Sequence, residues 1–123
     1  ALANQTIIIL AFRRNLCTKG EGRAVITGKY VMSGNGKSII ENEDRGFIKL
    51  VFDAETEKLI GAQLMCGRAT DMIGEMVTAV SAGLTKAQLA MALHPHPTFC
   101  EGITEAVHAA DGHSIHTMPP RRR

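Results

Sequence analysis

The chain has 123 residues, 45% hydrophobic and 21% charged, a balance that fits one folded domain and excludes a disordered polar tail. The net charge of +2 is unevenly laid out: residues 1–29 carry five bases against Glu21, residues 30–120 carry six bases against eleven acids, and Arg121–Arg123 close the chain. An acidic body with 4% aromatics and no tryptophan argues against a nucleic-acid partner, which calls for a basic face or stacking rings.

In chain order, Ile7–Leu10 is an apolar run of strand length that periodicity alone does not separate from a buried helix. Residues 11–24 are basic and punctuated by glycine, which reads as loop or weak helix. Val25–Met32 has strand character. Ser33-Gly34-Asn35-Gly36-Lys37 reads as a tight turn, since Gly and Asn accept positive φ at low cost, and Ser38–Glu43 as a further short strand. Phe47–Phe52 then alternates, with Ile48, Leu50 and Phe52 on one face. Asp53–Lys58 is a polar connection, and Leu59–Cys66 returns with Ile60, Ala62 and Leu64 alternating against Gln63. That pattern predicts an antiparallel hairpin with one face on a core.

After Gly67 the period changes from two to about 3.6. Met72, Ile73, Met76, Val77 and Val80 form a stripe on a helix over 70–82, and Gly83 suits its C-terminal cap. Thr85-Lys86-Ala87-Gln88 is a capping box opening a short helix that ends near Leu93. His94-Pro95-His96-Pro97 is extended, because each proline disfavours helix in the residue before it. A last helix starts near Pro97 and runs to Ala110 with Ile103, Val107 and Ala110 inward. Strands first and helices after predict an α+β fold, an antiparallel β-sheet with helices packed on one side.

The other exclusions concern compartment and cofactors. Cys17, Cys66 and Cys100 are odd in number and lack C-x-x-C spacing, so they form neither a disulfide framework nor a zinc ribbon and fit a reducing, cytoplasmic setting. The longest apolar run, Ile7–Phe12, falls short of the ~20 residues a membrane span needs, and no positive segment precedes it as in a signal peptide. Neither G-x-G-x-x-G nor a P-loop, G-x-S-x-G or H-E-x-x-H occurs, so no cofactor is expected to bind this chain alone.

The segment with chemistry in it is His94-Pro95-His96-Pro97-Thr98-Phe99-Cys100-Glu101. It places two imidazoles and a carboxylate at a helix N-terminus. A ring nitrogen bonded to a carboxylate fixes the tautomer and leaves the other nitrogen to move protons, so His96 and Glu101 are spaced for an acid/base dyad. Thr98-x-x-Glu101 is also a capping box, in which Glu101 satisfies a backbone N–H. His94 and His96 read equally as surface residues, or with Cys100 as zinc ligands. His108, His113 and His116 read as solvated, and Met72 and Met76 as core or interface filler.

Residues 25–110 resemble the C-terminal interface (dimerisation) domain of the pyridine nucleotide-disulphide oxidoreductases, in particular their dihydrolipoamide dehydrogenase branch. The resemblance is carried by Gly46-Phe47-Ile48-Lys49-Leu50-Val51, Leu59-Ile60-Gly61-Ala62-Gln63, Gly74-Glu75-Met76 and, above all, the H-x-H-P-T-x-x-E signature at 94–101. It implies an FAD/NAD-linked reductase dimerisation fold over 25–112, after a poorly matched segment 1–24 and before a tail 113–123. It also implies a homodimer in which His96 is the acid/base group and Glu101 orients it, at the partner subunit's active site. The His96-Pro97 peptide would be cis, with its backbone near the partner's flavin. The intact protein would oxidise a dihydrolipoyl group through a disulfide and FAD to NAD, with those binding domains upstream of Ala1. Its further partner would be the lipoyl-bearing component of a 2-oxo acid dehydrogenase complex. The isolated chain would lack oxidoreductase activity. Two alternatives are a stand-alone homodimeric interaction module with Met72 and Met76 on its surface, and a small zinc-binding protein using His94, His96 and Cys100.

Overall fold

A computed structural model describes residues 6–11 and 24–116 of the chain. The basic loop 12–23 with Arg13, Arg14 and Cys17, and the terminal Arg121–Arg123, lie outside the described residues. Four strands, β1 (Thr6–Ala11), β2 (Val25–Val31), β3 (Phe47–Asp53) and β4 (Leu59–Cys66), form one antiparallel sheet in the order β1-β4-β3-β2. Among the described residues four α-helices accompany them, α1 (Gly36–Ile40), α2 (Ala69–Ala82), α3 (Lys86–Ala90) and α4 (Glu101–Ala109), with a 3-10 turn at Met32–Gly34.

The hairpin forms where alternation predicts it. Tyr30, Ile48 and Leu64 stand side by side across three strands, as do Gly28, Leu50 and Ala62. This is the face covered by helices, α2 over β4 and β1 and α4 over β2 and β3. Apart from Gly28 and Ala62, these residues are at most 1% exposed. A bulge at Val51/Phe52 sets Phe52 opposite Leu59, so Leu59 rather than Ile60 is the fully buried start of β4. The Asp53 carboxylate shapes the connection by accepting the amides of Glu55 and Thr56 and the Thr56 hydroxyl, at 2.8–3.1 Å.

Gly83 caps α2 in the left-handed conformation, φ 65°. The α2 stripe is rotated slightly from its predicted position: Ala69, Met72, Met76 and Ala79 are buried, and Ile73 and Val80 pack at its margin. Met72 and Met76 are therefore core, at 3% and 0% exposure, which removes them as a dimer surface. The Thr85–Gln88 capping box closes in both directions, although α3 ends at Ala90 rather than near Leu93. On α4 the inward residues are Ile103, Ala106 and Val107, with Ala110 only partly buried.

One element departs from expectation. Ser38–Glu43 is not a strand: Asn35 caps a short helix, its Oδ1 accepting the Ser38 amide and hydroxyl at 2.9 Å each. Ile39 and Ile40, the residues that mimic a strand, are 57% and 66% exposed. Apolar residues facing solvent carry no information about period.

Candidate active site

The prolines and helix start that punctuate the signature segment also shape it. The loop 94–97 is non-helical and bends at His96 and Pro97, with a cis peptide between them as the resemblance implies, and residues 95–97 are exposed. The chain then turns through residues 98–100 into α4, which begins at Glu101 rather than near Pro97.

His96 Nδ1 lies 2.8 Å from Glu101 Oε1, while Glu101 Oε2 accepts the Thr98 amide at 2.8 Å. Glu101 thus uses one oxygen for the ring and the other for the backbone amide. The capping box is only half formed, because the Thr98 hydroxyl donates to the Pro95 carbonyl at 2.7 Å instead of accepting from the helix. A carboxylate can only accept, so Nδ1 carries the proton in this bond and Nε2 is left for a second. Burial pushes the Glu101 carboxyl up, but the Thr98 amide and the His96 ring outweigh it and hold it below the usual range. It is therefore a carboxylate at neutral pH. The His96 side chain is 78% exposed, turned towards whatever lies beside the domain rather than into it.

His94 behaves differently and was not separable from a surface residue in the sequence. Its side chain is 10% exposed. Nδ1 lies 2.7 Å from Thr104 Oγ1, and Nε2 lies 3.1 Å from each oxygen of Glu75 on α2. The Glu75 carboxylate raises the His94 pKa, burial opposing it. His116 is exposed as expected, its side chain 60% accessible, and it also pairs through Nδ1 with Glu105 Oε1 at 2.8 Å, while Ser114 donates to the other oxygen at 2.6 Å. These contacts seat the segment 114–116 on α4. Tyr30, under α4, has its hydroxyl pushed up to about 12, by burial first and then by Glu105 and Glu101.

Asn35 is a further residue that sequence reasoning assigned only to a turn. It is 3% exposed, and its Nδ2 donates to the Thr98 carbonyl at 3.0 Å, tying the end of the loop to the start of α1. Among the described residues no three His, Cys, Asp or Glu side chains converge as metal ligands, so His94, His96 and Cys100 do not assemble a zinc site. Cys66 and Cys100 are free thiols. Burial raises both, Cys66 to about 11. No helix among the described residues is long and apolar enough to cross a membrane.

The site is thus a loop that presents a His–Glu pair outward from a small antiparallel sheet with helices on one face. Residues 18–107 match the family described as pyridine nucleotide-disulphide oxidoreductase, dimerisation domain, and the chain belongs to that family. It is 41% identical over 100 residues to the dihydrolipoyl dehydrogenase of Geobacillus stearothermophilus. It is 38% identical over 100 residues to that of Staphylococcus aureus, and in both cases the match covers 81% of this chain and 21% of the relative. The chain thus spans about a fifth of the length of the curated relatives it matches. In fold it is similar to LpdA from Mycobacterium tuberculosis, with TM-score 0.75 at 23% identity over 85% of this chain and 22% of that one. It is likewise similar to the HOCl-induced flavoprotein disulfide reductase RclA from Escherichia coli, with TM-score 0.71 at 18% identity over 85% and 26% of the two chains.

Proposed function

We propose that this chain is the interface domain of a dihydrolipoamide dehydrogenase-like flavoenzyme, and that His96 and Glu101 form the acid/base dyad it lends to the partner subunit. The observation that carries this reading is the 2.8 Å His96–Glu101 bond on a ring that is 78% exposed. A histidine oriented by a carboxylate yet open to solvent is organised to exchange protons with another molecule.

In the reaction, a dihydrolipoyl S–H would give its proton to His96 Nε2 while Glu101 steadies the resulting imidazolium through Nδ1. The thiolate sulfur would then attack one sulfur of the redox-active disulfide, forming a mixed disulfide and expelling the other cysteine as a thiolate. Free thiols titrate near 8.5, so a base at that distance raises the reactive fraction at neutral pH.

This chain has no glycine fingerprint with which to hold FAD or NAD. What it can present to a flavin is the exposed backbone of His96-Pro97. Bound by other domains of the same protein, FAD would carry the electrons from the dithiol to NAD. Residues 25–112 would be the interface unit of a cytoplasmic homodimer, inactive as an oxidoreductase on its own. The lipoyl group would be delivered by a 2-oxo acid dehydrogenase complex component.

The test is His96→Ala in the full-length flavoenzyme carrying this segment. The dithiol half-reaction should slow by about 10²–10⁴-fold, the usual contribution of a positioned acid/base group, with flavin content and dimer unchanged. Normal turnover by that variant would end the assignment.

A further inference from the structure

The loop that carries His96 has few backbone means of holding itself. Two of its four residues are prolines, which have no N–H to donate, and residues 95–97 are exposed. Side chains hold it instead: the Thr98 hydroxyl donates to the Pro95 carbonyl at 2.7 Å, and two further anchors flank the loop. On the C-terminal side, Asn35 Nδ2 holds the Thr98 carbonyl at 3.0 Å. On the N-terminal side, the His94 ring is inserted between α2 and α4, meeting Glu75 through Nε2 and Thr104 through Nδ1.

We infer that His94 is a positioning residue: its imidazole, clamped by Glu75 and Thr104, fixes the loop 94–97 and thereby the contact between His96 and Glu101. The inference rests on the reading of His96 as the acid/base group and extends it to a residue that touches neither substrate nor flavin. Three features support it. The His94 side chain is 10% exposed and its partner Glu75 34%, where the loop they hold is exposed, so the ring end of the clamp is shielded from water, where hydrogen bonds are worth more. It uses both ring nitrogens, which fixes the ring in two directions and not one. It also joins the two long helices that frame the site. Glu101 sits on α4 three residues, or about one helical turn, before Thr104. A shift of the His94 ring therefore displaces His96 while Glu101 stays on its helix. The raised His94 pKa, set first by Glu75, adds charge assistance to the same clamp.

The Thr98 amide reports on this arrangement directly, because it donates to the second oxygen of Glu101. Amide hydrogen exchange of the 123-residue chain, read by NMR, is compared for the parent, His94→Ala, His94→Gln and Glu75→Gln. His94→Ala should speed Thr98 exchange by about tenfold, as losing a charge-assisted hydrogen bond implies, with the amides of β3 and β4 unchanged. Glu75→Gln, which keeps a hydrogen-bonding partner, should restore most of the protection. His94→Gln serves if the alanine variant unfolds. Thr98 exchange unchanged in both His94 variants, or accelerated only in step with the strands, would overturn the positioning role. If Thr98 responds while His96→Ala turns over normally, the clamp stands and the acid/base reading falls.

Discussion

Gly28 is the position where one methyl group should do most damage. It lies in β2 under α4, and a Cβ there would sit 1.9 Å from the Ala106 carbonyl oxygen and 2.8 Å from the Ala110 amide nitrogen. Ordinary contact begins at 3.4 Å, so α4 must withdraw by about 1.5 Å. Both obstructing atoms are backbone, so no side-chain rotation relieves them. Withdrawal also opens gaps beside Ile103, Ala106 and Val107, all at most 1% exposed. The cost should reach about 3 kcal/mol, the upper part of the overpacking range, against a total stability of about 5–15 kcal/mol. For a domain of this size that lowers the melting temperature by about 10 °C. Gly74→Ala is the matched control: it lies in the middle of α2 with nothing within 4 Å of the added Cβ. It should gain about 0.5–1 kcal/mol from helix propensity and reduced chain entropy. Thermal unfolding followed by far-UV circular dichroism separates the two. A Gly28→Ala chain melting within about 2 °C of the parent would show that α4 does not rest on β2 at this point.

Asn35→Ala removes the cap of α1 and the anchor of Thr98 together, and should lower stability by about 2–3 kcal/mol in urea unfolding. Asn35→Asp keeps the cap oxygen and loses the amide donor, so it should fall between the two; equality with the parent would refute the Thr98 anchor. A pH series tests the His94 clamp thermodynamically. Its folded pKa is raised above the unfolded value, with Glu75 the first cause, so the stabilisation is full below the ordinary histidine value of about 6.5 and is lost as pH rises through the folded one. The melting temperature should decline as the pH is taken from about 6 to 8.5, and Glu75→Gln should flatten that decline; an equally steep profile in the variant would assign the slope elsewhere.

Local signals were legible in the sequence and distant pairings were not. Alternation in 47–66 located the hairpin, since each residue's face is set by its own position in a pleat. Gly83 and Thr85–Gln88 located helix ends for the same reason, because a cap is made within four residues. Ser38–Glu43 reads as a strand because Ile39 and Ile40, which face solvent, mimic one; the Asn35 cap that starts a helix there is as local as the other caps. His94 reads in the sequence as a surface residue or zinc ligand and His116 as solvated, since neither partner is near in the chain. His94 is clamped by Glu75, nineteen residues away, and His116 by Glu105, eleven away. Glu101 allowed two readings because a carboxylate has two oxygens, and the structure uses both. The position of β1 beside β4 was also beyond reach, since an apolar run states that it is buried but not against what.

The last helix holds the core and the His96–Glu101 contact in a single register. Ile103, Ala106 and Val107 seat α4 on the sheet, while Glu101, at its first turn, holds His96. One residue inserted between them would turn Glu101 by about 100° relative to the buried face, costing either the packing or the pair. Length is therefore frozen between Glu101 and Val107: the same short stretch of helix must satisfy the sheet on one side and the exposed histidine on the other.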